Sequence, residues 1–286
     1  MRLITLGRLA LAVPPGADDE ALNKRRRKLA LLSVLALAKR PMPRDALLEM
    51  FWGDQTEARA RHSLSDALSH LRRVLGREAI TLHAADVALE EGAGLHVDAI
   101  EFAEAVADRD YERAAALYGG PFLHGVYIAG SPSFEQWMVR ERSRLEGLFL
   151  QMCERQCMVL ARARRWDECG ALAARWLDAA PLSADAALFR LNALKAPGTR
   201  DADQRALDEY DRLAARLARD YDLAPEKSVA ALARDISARL AASRPAPRVA
   251  DAATEPPAAE RAMAAGAAST EAATLAAPAP PATNGA

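Results

Sequence analysis

Between positions 59 and 73 the chain reads Arg-Ala-Arg-His-Ser-Leu-Ser-Asp-Ala-Leu-Ser-His-Leu-Arg-Arg. Laid on a helix at about 100° per residue, Leu64, Ala67, Leu68, Leu71 and Leu75 fall on one side. Arg59, His62, Asp66, Ser69 and Arg73 fall on the other, three and four residues apart. The chemistry open to these outward residues is hydrogen bonding to base edges. An arginine reaches the guanine O6 and N7 acceptors, while serine and histidine are short enough to let a helix approach the floor of a DNA major groove. An ordinary amphipathic helix with a solvated face carries the same pattern, so the neighbouring segments decide between the two.

Arg61, Ser65 and Arg72 flank the outward stripe and are placed for phosphate contacts. Upstream, Lys24, Arg25, Arg26, Arg27 and Lys28 precede Leu29, Leu31, Leu32 and Leu35. This pattern predicts a helix with a basic first turn, reaching to about Lys39. Cations at a helix N-terminus oppose the macrodipole, so the expectation is an external anion, with the Lys24–Lys28 cluster neutralising a phosphate backbone. Such contacts supply salt-sensitive affinity and little sequence information.

Other chemistries lack their residues. There is no GxxxxGK[ST] phosphate loop, GxSxG elbow, HExxH site or paired CxxC, so neither an enzyme nor a bound cofactor or metal is expected. The five histidines (62, 70, 83, 96 and 124) form no ligand spacing. Cys153, Cys157 and Cys169 are odd in number, which argues against a disulfide framework and for small core residues. No apolar run is long enough to span a membrane. Met1 to Val13 alternates and is interrupted by Arg8, unlike a signal peptide, which makes the cytoplasm the expected compartment. The whole-chain net charge of −1 conceals an asymmetry: residues 1–80 hold 15 Lys and Arg against 9 Asp and Glu, the remainder 23 against 30. A basic N-terminal part suits a polyanionic partner.

The elements that must position the stripe are legible in order. Residues 1–13 alternate and predict one or two short strands. Arg44 to Trp52 reads as a short helix, with Leu47, Leu48 and Phe51 inward. Thr56 can cap the next helix, 56–75, which Gly76 ends. Ile80, Leu82, Val87 and Leu89 predict a hairpin turning near His83-Ala84-Ala85-Asp86. Strand, three helices and hairpin is the layout of a winged helix-turn-helix, assigned to residues 1–95. A residue of the wing, near His83–Asp86, would approach the minor groove.

From Val97-Asp98 the reading changes to helices alone. Asp98 can cap a helix carrying Phe102, Ala105 and Val106, and a second covers about Tyr111 to Tyr118. Long helical stretches follow at about 133–163, 166–179, 183–195, 201–220 and 225–240. Trp166, Ala171, Ala174 and Pro181 fit one tetratricopeptide-like helix pair: an aromatic, small residues at helix contacts and a closing proline. Such pairs bury their faces by stacking, so residues 97–241 are assigned to an α-helical solenoid. The fold class is therefore mainly α, with an α+β winged helix before a TPR-like domain. Residues 243–286 contain 18 Ala and 7 Pro and no aromatic, the composition of a disordered tail.

Taken together, these segments resemble the SARP-type bacterial regulators, with an OmpR/PhoB-type winged helix before a bacterial transcriptional activator domain. The resemblance covers about residues 1–240. It rests on Arg26-Arg27-Lys28-Leu29-Ala30-Leu31-Leu32, on Pro43-Arg44-Asp45-Ala46-Leu47-Leu48 with Phe51-Trp52, and on Ala58-Arg59-Ala60-Arg61 through Leu71-Arg72-Arg73-Val74-Leu75-Gly76. It continues through Val97-Asp98, Phe102, Ala115-Leu117-Tyr118-Gly120-Pro121-Phe122-Leu123, Phe134-Glu135-Trp137 and Glu141-Arg142. It implies a DNA-binding transcriptional activator that reads the major groove with helix 56–75. Its helical domain would contact RNA polymerase or a second protomer. Asp66 stands where that family often has an uncharged polar residue; a carboxylate there repels phosphate, yet accepts from cytosine N4. The alternative that the residues leave open is an interaction scaffold built on the solenoid, without sequence-specific DNA binding.

Overall fold

The computed structural model describes residues 1–13, 25–38 and 40–242; Lys24 and the Ala/Pro-rich tail lie outside them. In chain order the N-terminal part holds β1 (Arg2–Ile4), β2 (Ala10–Ala12), α1 (Arg26–Leu37), β3 (Met42–Pro43), α2 (Arg44–Trp52), α3 (Glu57–Leu75), β4 (Ile80–His83), β5 (Asp86–Leu89) and β6 (His96–Val97). The helical part continues with α4 (Asp98–Ala107), α5 (Tyr111–Leu117), α6 (Pro132–Arg162), α7 (Trp166–Ala179), α8 (Ala184–Lys195), α9 (Arg200–Tyr221) and α10 (Lys227–Ala242). The mainly α class and the two successive architectures agree with the sequence reading.

Each part of the winged helix follows from its residues. Helix α3 buries Ala60, Leu64, Ala67, Leu68, Leu71 and Leu75, the apolar face that the 3.6-residue period predicts. It stops at Gly76, whose φ of 105° suits glycine and whose N–H closes the last turn on the Arg72 carbonyl. Thr56 precedes α3 without a side-chain capping bond, whereas Ser183 and Thr199 do cap α8 and α9. The wing is the antiparallel pair β4–β5, and β3 adds to its far side through Met42↔Val87 and Pro43↔Asp86. The Arg44 N–H donates to the Ala85 carbonyl at 2.9 Å, which ties the start of α2 to the wing turn.

The first sheet was not legible as it stands. The expected boundary near residue 96 falls at β6, which pairs in parallel with β1, while β2 pairs antiparallel on the other edge. The first strand therefore lies against the entrance to the helical domain. Asp98 is the joint. Expected as a cap, it is the first helical residue of α4, and its buried carboxylate accepts from Thr5 N, Thr5 Oγ1 and Leu6 N as well as from Ala99 N. The chain then crosses itself at a glycine contact. Gly7 donates to the Pro121 carbonyl, Leu123 donates to that of Thr5, and Leu6 bridges Phe122. A Cβ on Gly7, where φ is +86°, would lie 2.6 Å from the Gly119 oxygen, so no side chain fits.

The hydrophobic core runs unbroken from Leu3 through the winged helix into α8, and residues Met1–Arg244 form one compact unit. Phe51 of α2 meets Phe134 of α6 with ring centroids 5.0 Å apart, and Phe134 and Phe122 both meet Trp137 at 5.8 Å. Cys153, Cys157 and Cys169 are fully buried, as their reading as core residues requires, and burial pushes the Cys153 thiol up to about 12. In α7 the small residues that admit the neighbouring helix are Gly170 and Ala173, with Ala193 of α8 against Gly170. Ala171 is exposed, so the packing register lies one residue away from the expected Ala171 and Ala174.

Two substitutions test the joint. Asp98→Ala should destabilise the protein by about 3 kcal/mol or more, because it strands several buried donors. Gly7→Ala should cost about 1–3 kcal/mol through a forced left-handed residue and a clash. Urea unfolding of the full chain measures both, with Ala12→Gly on the exposed edge strand as the mild reference.

Candidate nucleic-acid interface

The outward face of α3 is set by what covers its flanks. On one flank stand α2 and the wing. The Arg44 guanidinium donates to Ser65 Oγ at 3.3 Å, and Arg72 Nε donates to the Ile80 carbonyl at 2.8 Å. Arg72 is half-buried and anchors β4 to the recognition helix. Ser65 and Arg72, expected at phosphates, each also meet a neighbouring element here; Ser65 stays exposed. Arg61 is exposed and pairs with Glu57 one turn earlier at 2.5 Å.

The other flank meets the N-terminus of α1. Lys28 Nζ donates to Asp66 Oδ2 at 2.7 Å, and Arg25 Nη1 lies 3.3 Å from His70 Nδ1. The Lys28 hydrogen bond holds the Asp66 carboxyl below the usual range, helped by the charge of Arg25. His70 is shifted downward, first by burial and then by the charges of Lys28, Arg25 and Arg73. Between these elements opens a cleft of about 390 Å³, lined by Arg25–Lys28, Trp52, His62, Ser63, Asp66 and Ala67.

The basic cluster also makes contacts within the chain. Arg26 donates to the Gly125 carbonyl at 3.0 Å and Arg27 to that of Ala129 at 2.7 Å, both in the loop before α6. Arg27 also lies over the Trp52 ring, 5.9 Å from its centroid. Carbonyls of the helical domain, Asp66 and an aromatic face thus each meet one of these cations. Arg25 and Arg26 remain exposed at the rim of the cleft.

What remains outward on α3 is narrower than the expected stripe. Arg59, His62, Ser69 and Arg73 are exposed and have no hydrogen-bond or ion-pair partner among the described residues. Asp66 is exposed between them and shared with Lys28. Arg44 and His70 are two contact residues that sequence reasoning missed. The signal for Arg44 was a cation in the first turn of the positioning helix; for His70 it was a position one step beside the stripe, on the α1 side.

Residues 88–237 match the family described as the bacterial transcriptional activator domain. The chain belongs to that family. Its order of parts, winged helix before activator domain, is that of the SARP-type transcriptional regulators. The solved structure of Mycobacterium tuberculosis EmbR in complex with a low affinity phosphopeptide is similar in fold, with a TM-score of 0.54 at 20% identity. The likeness covers 83% of this chain, more than the family-matched residues span, so it takes in winged-helix residues as well. This chain accounts for 65% of the length of that one. No curated protein matches the chain. No helix among the described residues is long and apolar enough to cross a membrane.

The His70 environment gives a pH prediction. Its imidazole should titrate below 6.5 in the folded chain, and Lys28→Met should raise the midpoint; histidine NMR signals followed against pH measure both. Because the folded-state value is depressed, the unfolded chain protonates first as pH falls. This site's contribution to stability is present above about 6.5 and is lost as pH drops through the folded-state value.

Proposed function

We propose that this regulator binds duplex DNA by seating α3 in the major groove, and that it acts as an activator. The observation that carries the reading is the outward face of α3: Arg59, His62, Ser69 and Arg73 stand exposed and unpartnered, opposite a face that is wholly buried. A helix so placed needs neighbours that hold it at a fixed depth and angle, and α2 and the wing do this through Arg44 and Arg72. On this reading Arg59, His62, Asp66, Ser69 and Arg73 meet base edges. Arg61 and Arg25 reach phosphates, since each is exposed at the margin of the face. Arg26, Arg27 and Lys28 act behind them by holding the start of α1 in place, and Ser65 and Arg72 serve through the contacts described above. Lys24 is assigned to the same phosphate-facing cluster on its sequence position.

The helical domain is the protein-contact half. Its acidic balance disfavours DNA, and stacked helix pairs such as α7–α8 and α9–α10 present extended surfaces to protein segments. RNA polymerase or a second protomer on an adjacent half-site is the proposed partner. The division into residues 1–95 and 97–241 is proposed as a division of labour, because the two parts share one core.

The test is selection of duplex fragments by the purified full chain, with affinity then followed against salt. Binding should be sequence-selective and fall steeply with salt, by counterion release. Arg73→Ala should cost about 1–3 kcal/mol on the selected site and relax preference at one base pair. The absence of salt-dependent binding to any duplex would sink the reading, and would favour the solenoid as the working part.

A further inference from the structure

Asp66 is the one carboxylate on the outward face of α3, and the structure surrounds it unusually. Its side chain is 63% exposed, whereas the Lys28 side chain that reaches it is 13% exposed. Lys28 therefore comes from behind, along α1, and engages one carboxylate oxygen, Oδ2, at 2.7 Å. Arg25 and His70 stand beside the pair. The Asp66 end of this pair is open to solvent, which screens it and limits what it adds to stability, so folding alone gives little reason for a carboxylate in a face meant for a polyanion. Without Lys28 the charge would repel phosphate. With it, the negative charge is offset in place, and the second oxygen has no hydrogen-bond partner among the described residues.

We infer that Asp66 is the residue that sets base preference at the centre of the DNA site, by accepting a hydrogen bond from the cytosine N4 amino group. The inference rests on the reading of α3 as the groove-reading helix. The chemistry is restrictive because an ionised carboxylate only accepts. In the major groove guanine presents the N7 and O6 acceptors, and thymine presents O4 and a methyl group, so all three polar atoms oppose a carboxylate. Adenine offers its N6 amine beside the N7 acceptor, which leaves cytosine, with N4, as the edge that matches best. Arg59 and Arg73 lie seven residues to either side, about 10 Å along the helix axis at 1.5 Å per residue, and guanidinium groups favour guanine. A central acceptor between two outer donors gives α3 a polarity pattern that no arrangement of arginines alone could supply.

The experiment is selection from a randomised duplex library by the full chain as wild type, Asp66→Asn and Asp66→Ala. Wild type should select a motif with cytosine at one central position. In Asp66→Asn that position should move toward adenine, whose N6 and N7 suit an amide, with discrimination for cytosine falling about tenfold and the flanking positions unchanged. Asp66→Ala should lose the central preference and bind unselected duplex more tightly, because Lys28 is released toward phosphate. Both variants change one exposed side chain, and thermal melting of each should stay close to wild type. Identical motifs from all three proteins overturn the assignment, as does a wild-type motif with no cytosine preference at a central position. A wild-type chain that selects no duplex at all overturns the groove-reading function instead.

Discussion

Asp98 stands where three segments meet: the end of β1, the end of β6 and the first turn of α4. Its carboxylate accepts from two backbone amides and a hydroxyl of the N-terminal segment and from the amide that follows it. Burying a charge is costly unless its hydrogen bonds are made, and here they are made by the two segments that must be brought together. The joint can form only when residues 5 and 6 lie against the start of α4. The glycine crossing at Gly7 and Gly119 enforces the same placement by excluding side chains. The start of the chain is thereby built into the activator domain, and the winged helix is held to that domain from its first strand.

The same economy governs the arginines. A guanidinium carries five donors and is always charged, so a chain rich in arginine must either solvate it or give it acceptors. Arg26, Arg27, Arg142 and Arg175 spend donors on backbone carbonyls that no regular ladder uses. They close the loops between α5 and α6 and fasten α1 to them. The cations that stay outward, Arg59 and Arg73 above all, are those whose helical angle points away from every neighbour. Helical angle separates structural from available arginine on α3: Arg72 and Arg73 are adjacent in the chain, about 100° apart around the helix, and differ in their contacts.

Much of the fold was legible because it rests on local periodicity. The spacing of Leu64, Leu68, Leu71 and Leu75 is enough to orient α3, and Gly76 is enough to end it. The helices of the activator domain fall within a residue or two of where apolar spacing and prolines place them. The solenoid register was harder. Ala171 and Gly170 are both small, and only the approach of Ala193 shows which one faces α8. The N-terminal strands were visible as strands, while their partner at 96–97 was not, since a two-residue parallel pairing across more than ninety residues leaves no local trace.

For the site, residue types alone determined that α3 has an outward polar face, that this face mixes donors with one carboxylate, and that the N-terminal part is basic. Helical angle is a property of the sequence, so these features follow without any knowledge of neighbours. Which of those groups remain available was decided by tertiary structure. Arg26, Arg27, Lys28, Ser65 and Arg72 meet acceptors or donors brought from residues 8 to 102 positions away in the chain. Hydrogen-bond donors are satisfied by whatever acceptor packing delivers, and no spacing rule in the chain encodes that delivery.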